Sequence, residues 1–367
     1  MKNVGIITFH HAKHSYGAAL QAYATLRAVE KLGYKAELIN YENKYEQTEI
    51  KTYGCDFKSK IYLLLSWAIR MFIFEGVKNP NRKRENLDIF YGKVSRKKYH
   101  NLNDLERSNY DILIAGSDQI WNPEVTGGID RCFLLDFGNP GRRIAYASSI
   151  GSHVILSDEQ EIYKKALEKF HYISVREQYA VDSLKVICKK NIDVVCDPTL
   201  LLSGEQWREE LKEEMNYFNE KKPYILTYFV GGNIDFYWER IEKYVMQLRL
   251  PVYNIQSHSR SYKHIDKAIY NIMPGDLVAY IANAHTILTD SFHGTAFSIN
   301  FNKNFVAVIN NRNPVRVLNL LEIIGLTEQK DNKLTDCLTA VDYRKANRRL
   351  EKIRNESMQW LSCALNG

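Results

Sequence analysis

Four short stretches of this chain hold residues whose types and spacing could do chemistry, and each follows a brief apolar run. In Thr289-Asp290-Ser291-Phe292-His293-Gly294-Thr295-Ala296-Phe297-Ser298 a strand turns tightly at Gly294 into a helix. His293 stands at that corner, where an imidazole can act as acid or base on a ligand held at the helix N-terminus. The other reading is a hydrogen-bonded structural histidine. Ser291 lies outside any G-x-S-x-G elbow, which argues against a hydrolase nucleophile. Arg176 and Glu177 follow Ser174-Val175, so the guanidinium could offer a two-pronged donor to carboxylate or phosphate, or simply pair with its neighbour on the surface. Ala115-Gly116-Ser117-Asp118-Gln119-Ile120-Trp121-Asn122 places Ser117 and Asp118 after a buried run, with Trp121 as a flat face for a sugar ring. An Asp N-cap beside a core Trp is the alternative. His10-His11-Ala12-Lys13-His14-Ser15-Tyr16-Gly17 leads into a helix whose N-terminus attracts anions, with Lys13 adding a charge and Tyr16 a hydroxyl. A solvated loop is the bland reading of that segment. Its three histidines have no carboxylate among them and no standard ligand spacing, so no metal is expected.

These loops need strands to carry them. Val4–Phe9, Lys35–Tyr41, Asp111–Ala115, Ile144–Ser148, Tyr172–Val175 and Asp193–Cys196 are short and apolar, as buried parallel strands are. Helical patterns alternate with them, such as Leu20, Ala24, Ala28 and Leu32 closed by Gly33. The class is therefore α/β with parallel sheets. A charged helical stretch from Glu205 to Lys222, stopped by Pro223, leads into a second set of strands at Tyr224–Val230, Val252–Gln256, Thr286–Asp290 and Phe305–Ile309. A helix is expected from Pro274 to Ala284 among them. Two Rossmann-like domains facing across a cleft follow, with loops at the carboxyl ends of the strands lining it. The expected boundaries are residues 1–203, with a helical and basic insertion at about 55–100, then 204–343, then a helix over 344–367 that packs back on the first domain.

Composition removes several classes. The 367 residues carry 50 Lys+Arg against 43 Asp+Glu, a formal charge of +7, with 45% hydrophobic residues. That apolar share, with 19 Gly and 8 Pro, excludes disorder and collagen. The six cysteines are scattered, which excludes a disulfide scaffold or a zinc ribbon. There is no G-x-x-x-x-G-K-[ST], and the first β-α turn lacks G-x-G-x-x-G, so kinase, ATPase and dehydrogenase readings lose ground. The opening apolar stretch breaks at His10, too early for a signal peptide, and a reducing, cytoplasmic setting is expected. The mild positive excess fits an anionic substrate or an acidic membrane surface and falls short of a nucleic-acid-binding signature. The run Ile61–Phe74, flanked by Lys58, Lys60, Lys78, Arg82 and Arg84, is too short to span a bilayer and reads as a core helix or a peripheral contact with an anionic membrane face.

Taken in order, the motifs resemble the polysaccharide pyruvyl transferase family. They are Ser15-Tyr16-Gly17-Ala18-Ala19-Leu20-Gln21, the Gly116–Asn122 loop, Ile144-Ala145-Tyr146-Ala147-Ser148-Ser149, Ser174-Val175-Arg176-Glu177, Asp197-Pro198-Thr199-Leu200-Leu201-Leu202 and the Thr289–Ser298 turn. The resemblance implies a GT-B-like fold and transfer of the enolpyruvyl unit of phosphoenolpyruvate to two hydroxyls of a sugar during cell-surface polysaccharide synthesis. It implies no cofactor beyond phosphoenolpyruvate as donor substrate, and an acceptor sugar that is free, lipid-linked or nucleotide-linked. His293 matches the family's motif histidine as proton donor and acceptor, and Arg176 its anion-binding arginine; Arg316 is added on charge alone. Asp118 is the candidate for orienting or deprotonating the acceptor hydroxyl, with Tyr16, Gln21, Ser117 and Trp121 lining the first-domain side. Some family members carry Arg where this chain has Ser291, so the phosphate partner passes to Lys13, Arg312 or Arg316. The rivals are a nucleotide-sugar glycosyltransferase of the same architecture and a non-catalytic glycan-binding protein. Oligomeric state is left open.

Overall fold

The computed structural model describes residues 2–10, 15–43, 94–256, 262–270, 272–310, 314–331 and 340–367. Lys13, Arg312 and most of the expected insertion, including Ile61–Phe74, lie outside the described residues. Seven strands form the first sheet: β1 (Asn3–Ile7), β2 (Lys35–Tyr41), β3 (Val94–Tyr99), β4 (Ile112–Ala115), β5 (Arg142–Ser148), β6 (Tyr172–Val175) and β7 (Asp193–Val194). Their order is β3-β2-β1-β4-β5-β6-β7. The second sheet holds β8 (Ile225–Tyr228), β9 (Val252–Ile255), β10 (Lys267–Ile269), β11 (Thr286–Thr289) and β12 (Asn304–Ala307), in the order β10-β9-β8-β11-β12. All the pairings are parallel.

The central strands are covered on both faces, which is why they read as unbroken apolar runs: every residue of β4 and β11 is buried. Edge strands escape that pattern. In β3 the side chains of Arg96, Lys97 and Lys98 are exposed, and β10 is three residues long; both lie at sheet edges, where charge and shortness discourage further pairing. The expected helix over 205–222 is two helices, Gly204–Glu210 and Lys212–Tyr217, parted at Leu211.

Five helices matter for the site: α1 (Tyr16–Lys31), α2 (Pro274–Asn283), α3 (Phe292–Asn300), α4 (Val315–Ile324) and α5 (Tyr343–Asn366). α1 packs against α2, and Trp207 sits between Tyr23 and Phe297, so one apolar core runs through both sheets. α5 fastens the halves from outside. Cys196 N donates to Ser357 Oγ (3.0 Å), while Arg354 reaches Leu200 O (2.7 Å) in one half and Asn300 Oδ1 (3.0 Å) in the other.

In each sheet the strand order reverses once, between β1 and β4 and between β8 and β11. Loops leaving the two strands at such a reversal diverge and open a crevice at the carboxyl edge. Here the two crevices meet, giving a cavity of about 260 Å³ lined from both domains.

Candidate active site

The second-domain wall starts at the β11–α3 turn. Ser291 caps α3 by accepting from Gly294 N (3.2 Å), and its own N–H is held by Thr289 Oγ1 (3.0 Å). A Cβ on Gly294 would meet Thr289 Oγ1 at 2.4 Å, so the helix can start this close to its strand only with glycine there. His293, in the first turn of α3, is buried and its Nε2 has no hydrogen-bond partner. Burial pushes the imidazole below its usual pKa against the upward pull of Asp197 and Asp118, so it rests neutral at pH 7. The first domain approaches its other side closely: a Cβ on Gly17 of α1 would lie 2.0 Å from His293 Nδ1.

The first-domain wall is a charge network. Arg176, just after β6, is 4% exposed. Its Nη1 donates to Asp197 Oδ2 (2.8 Å) and Ser117 Oγ (3.3 Å), and its Nε to Glu177 Oε1 (3.0 Å). Its Nη2 makes no hydrogen bond and lies 3.5 Å from Asp118 Oδ1. The neighbour pair of Arg176 and Glu177 therefore exists, but in the interior rather than on the surface. Burial works to lower the guanidinium pKa, yet Glu177, Asp197 and Asp118 together raise it, so Arg176 stays charged. Asp197, after β7, also accepts from Thr199 N (3.0 Å), Thr199 Oγ1 (2.7 Å) and Ser117 Oγ (2.9 Å). Burial works to raise its pKa, but His293, Arg176 and Thr199 hold it below the usual carboxylate range. Its Oδ1 is 4.0 Å from His293 Nε2, so one carboxylate touches the machinery of both walls. Asp118 holds a left-handed backbone, φ 82°, a strained setting that Asp tolerates better than most residues; its Oδ1 accepts from Gln119 N (2.9 Å).

Arg316, in the first turn of α4, completes the ring. Its Nε is buried without a partner, and burial and then Arg176 lower its pKa, although a guanidinium remains charged in water. The guanidinium carbons of Arg176 and Arg316 lie 5.0 and 5.9 Å from the centroid of the Phe292 ring. Arg176 Nη2, Arg316 Nε and His293 Nε2 are thus three buried nitrogens without a hydrogen bond; His293 and Arg316 line the interdomain cavity, and Arg176 meets it through its contacts with Asp118 and Phe292. Leaving a buried polar group unsatisfied costs about 1–3 kcal/mol, and an anion would relieve the two guanidinium nitrogens.

Several expected residues sit elsewhere. Trp121 is no sugar platform: it is 2% exposed, gives its Nε1–H to Phe133 O (3.1 Å) and meets Phe170 edge-on. Gln21 does not line the cleft either; its Nε2 donates to Thr8 Oγ1, Phe9 O and Ala18 O, tying the end of β1 to α1. Ser117 turns its hydroxyl to Asp197 instead of outward. Tyr16 is half-buried beside Tyr228, outside the cavity lining, its hydroxyl pKa pushed up to about 12 by burial and Asp276. Sequence reasoning gave no role to Asp197, although an Asp-Pro directly after a buried strand was the available signal. Among the described residues, no helix is long and apolar enough to cross a membrane.

The family model for polysaccharide pyruvyl transferase matches residues 16–312. No curated protein sequence matches the chain. Among solved structures, UDP-GlcNAc 2-epimerase from Methanocaldococcus jannaschii superposes with a TM-score of 0.51 at 13% identity, covering 97% of this chain and 93% of that one. The S. aureus MnaA–UDP co-structure gives 0.50 at 11% identity, covering 99% and 91%. At such identities the likeness shows the fold alone, a GT-B-type pair of Rossmann-like domains around a cleft.

Proposed function

The chain belongs to the polysaccharide pyruvyl transferase family, and on that premise we propose that it moves the enolpyruvyl unit of phosphoenolpyruvate onto two hydroxyls of a sugar, closing a cyclic ketal. What supports this reading most is that His293 and Arg316, each with a buried nitrogen lacking a hydrogen bond, line one interdomain cavity, with the Arg176 guanidinium held against its Asp118 and Phe292 walls. A donor with a carboxylate and a phosphate needs such a set.

The reaction can be written onto these side chains. Arg176 Nη2 and Arg316 Nε hold the donor's two anionic groups. His293 Nε2 protonates the methylene carbon, which becomes a methyl, and the central carbon becomes an oxocarbenium-like electrophile. A sugar hydroxyl adds to that carbon as Asp118 or the now neutral imidazole takes its proton. The carbon–oxygen bond to phosphate then breaks, and the second hydroxyl closes the ring. Of the two hydroxyl protons, one is accounted for on the methyl carbon and one on the released phosphate. The sugar acceptor belongs to cell-surface polysaccharide synthesis under this reading.

The test is incubation with phosphoenolpyruvate and a panel of galactosyl, mannosyl and N-acetylhexosaminyl acceptors, read by mass spectrometry. One acceptor gains a pyruvate less one water, with an equal amount of inorganic phosphate. Turnover of a nucleotide sugar with release of nucleoside diphosphate, and none with phosphoenolpyruvate, would instead establish the glycosyltransferase alternative.

A further inference from the structure

Among the described residues of this cluster, two guanidiniums, Arg176 and Arg316, face three carboxylates, Asp118, Glu177 and Asp197. With a neutral imidazole the cluster carries one net negative charge, a poor host for a donor bearing both carboxylate and phosphate. A proton on His293 restores neutrality and turns the unpartnered Nε2 into a third donor.

The geometry also says what would hold that proton. Asp197 Oδ1 is 4.0 Å from His293 Nε2, and the carboxylate cannot swing away. Arg176 and Ser117 fix its Oδ2, and Thr199 fixes its Oδ1 with two hydrogen bonds. The charged groups facing the imidazole are Asp197 from the loop after β7, Asp118 from that after β4, Arg176 from that after β6 and Arg316 on α4. Gly17 of α1 packs on the ring and brings no charge.

We propose that Asp197 is a positioning residue that keeps a proton on His293 Nε2 when the anionic donor enters, so that donor binding takes up one proton from solvent. This rests on the reading of phosphoenolpyruvate as donor. The proton adds to the Nε2 lone pair and no bond of the donor breaks at this stage. The same proton is the one later given to the methylene carbon. Donor affinity therefore rises as pH falls between the imidazole's bound and free pKa values, and levels off on either side.

Titration calorimetry with phosphoenolpyruvate at about pH 7.5, in buffers of different ionisation heat, reads the proton directly as about one taken up per donor bound. His293→Gln binds with no uptake, and Asp197→Asn binds with most of the uptake lost. Thr199→Val serves as the second variant, because Asp197→Asn removes the carboxylate that Arg176 pairs with and so also weakens the fold. It frees Asp197 Oδ1 from one competing hydrogen bond while keeping the charge, so uptake extends to higher pH; an unshifted profile removes the role given to Asp197. Donor binding without uptake by the wild-type protein, or uptake that survives in His293→Gln, overturns the inference and leaves the donor assignment standing. Absence of any binding overturns both.

Discussion

On the first-domain wall of the cleft, charged groups hold one another. Arg176 bonds Asp197 and Glu177, Asp197 also takes Thr199 and Ser117, and Arg176 Nη2 and Glu177 Oε2 are left without a hydrogen bond. On the second-domain wall the carboxylate is spent at home: Asp290 accepts from Val230 N (2.7 Å), Gly231 N (2.8 Å) and the Tyr237 hydroxyl (2.6 Å). Two nitrogens there, His293 Nε2 and Arg316 Nε, make no hydrogen bond. Two sheets with the same kind of strand reversal thus supply different parts, a fixed electrostatic frame from one and unengaged nitrogens from the other. Asp197 reaches from the first wall toward His293 on the second, and Arg176 reaches the Phe292 ring.

The contrast makes an arginine removed from each wall fail differently. Arg176→Gln leaves Asp197 and Glu177 buried without their shared cation, which should cost about 3–5 kcal/mol of stability, read as a lowered denaturation midpoint. A variant as stable as wild type would mean the frame is not a frame. Arg316→Gln removes a cation whose Nε bonds nothing, so the midpoint should barely move while phosphoenolpyruvate binds about tenfold more weakly in a titration. Unchanged affinity would take Arg316 out of the donor site. Smallest in its effect on turnover is Trp121→Phe, which loses the bond to Phe133 O and part of the buried ring and should cost about 1–3 kcal/mol of stability with turnover unaltered. A large loss of turnover there would return Trp121 to the role the sequence suggested.

The sequence is legible where burial is two-sided and obscure where it is not. β4, β6 and β11 announce themselves because both faces are covered, whereas β3 hides behind the exposed Arg96, Lys97 and Lys98. In the site, Arg176 could be singled out because it follows β6 directly, and His293 because it stands at the turn from β11 into α3. Trp121, in the loop after β4, and Gln21, on α1, point into the core, and a side chain's direction depends on backbone angles that residue types do not encode. Asp197 was hidden for another reason. Its importance comes from neighbours contributed by β4, β6 and α3, which are brought together only by the fold.

The most direct test of the central claim is a crystal structure of the protein with phosphoenolpyruvate bound. The donor's carboxylate and phosphate should lie within hydrogen-bond distance of Arg176 Nη2 and Arg316 Nε, with the methylene carbon facing His293 Nε2. Donor density anywhere else, or in this cavity with the methylene turned away from the imidazole, would contradict the account.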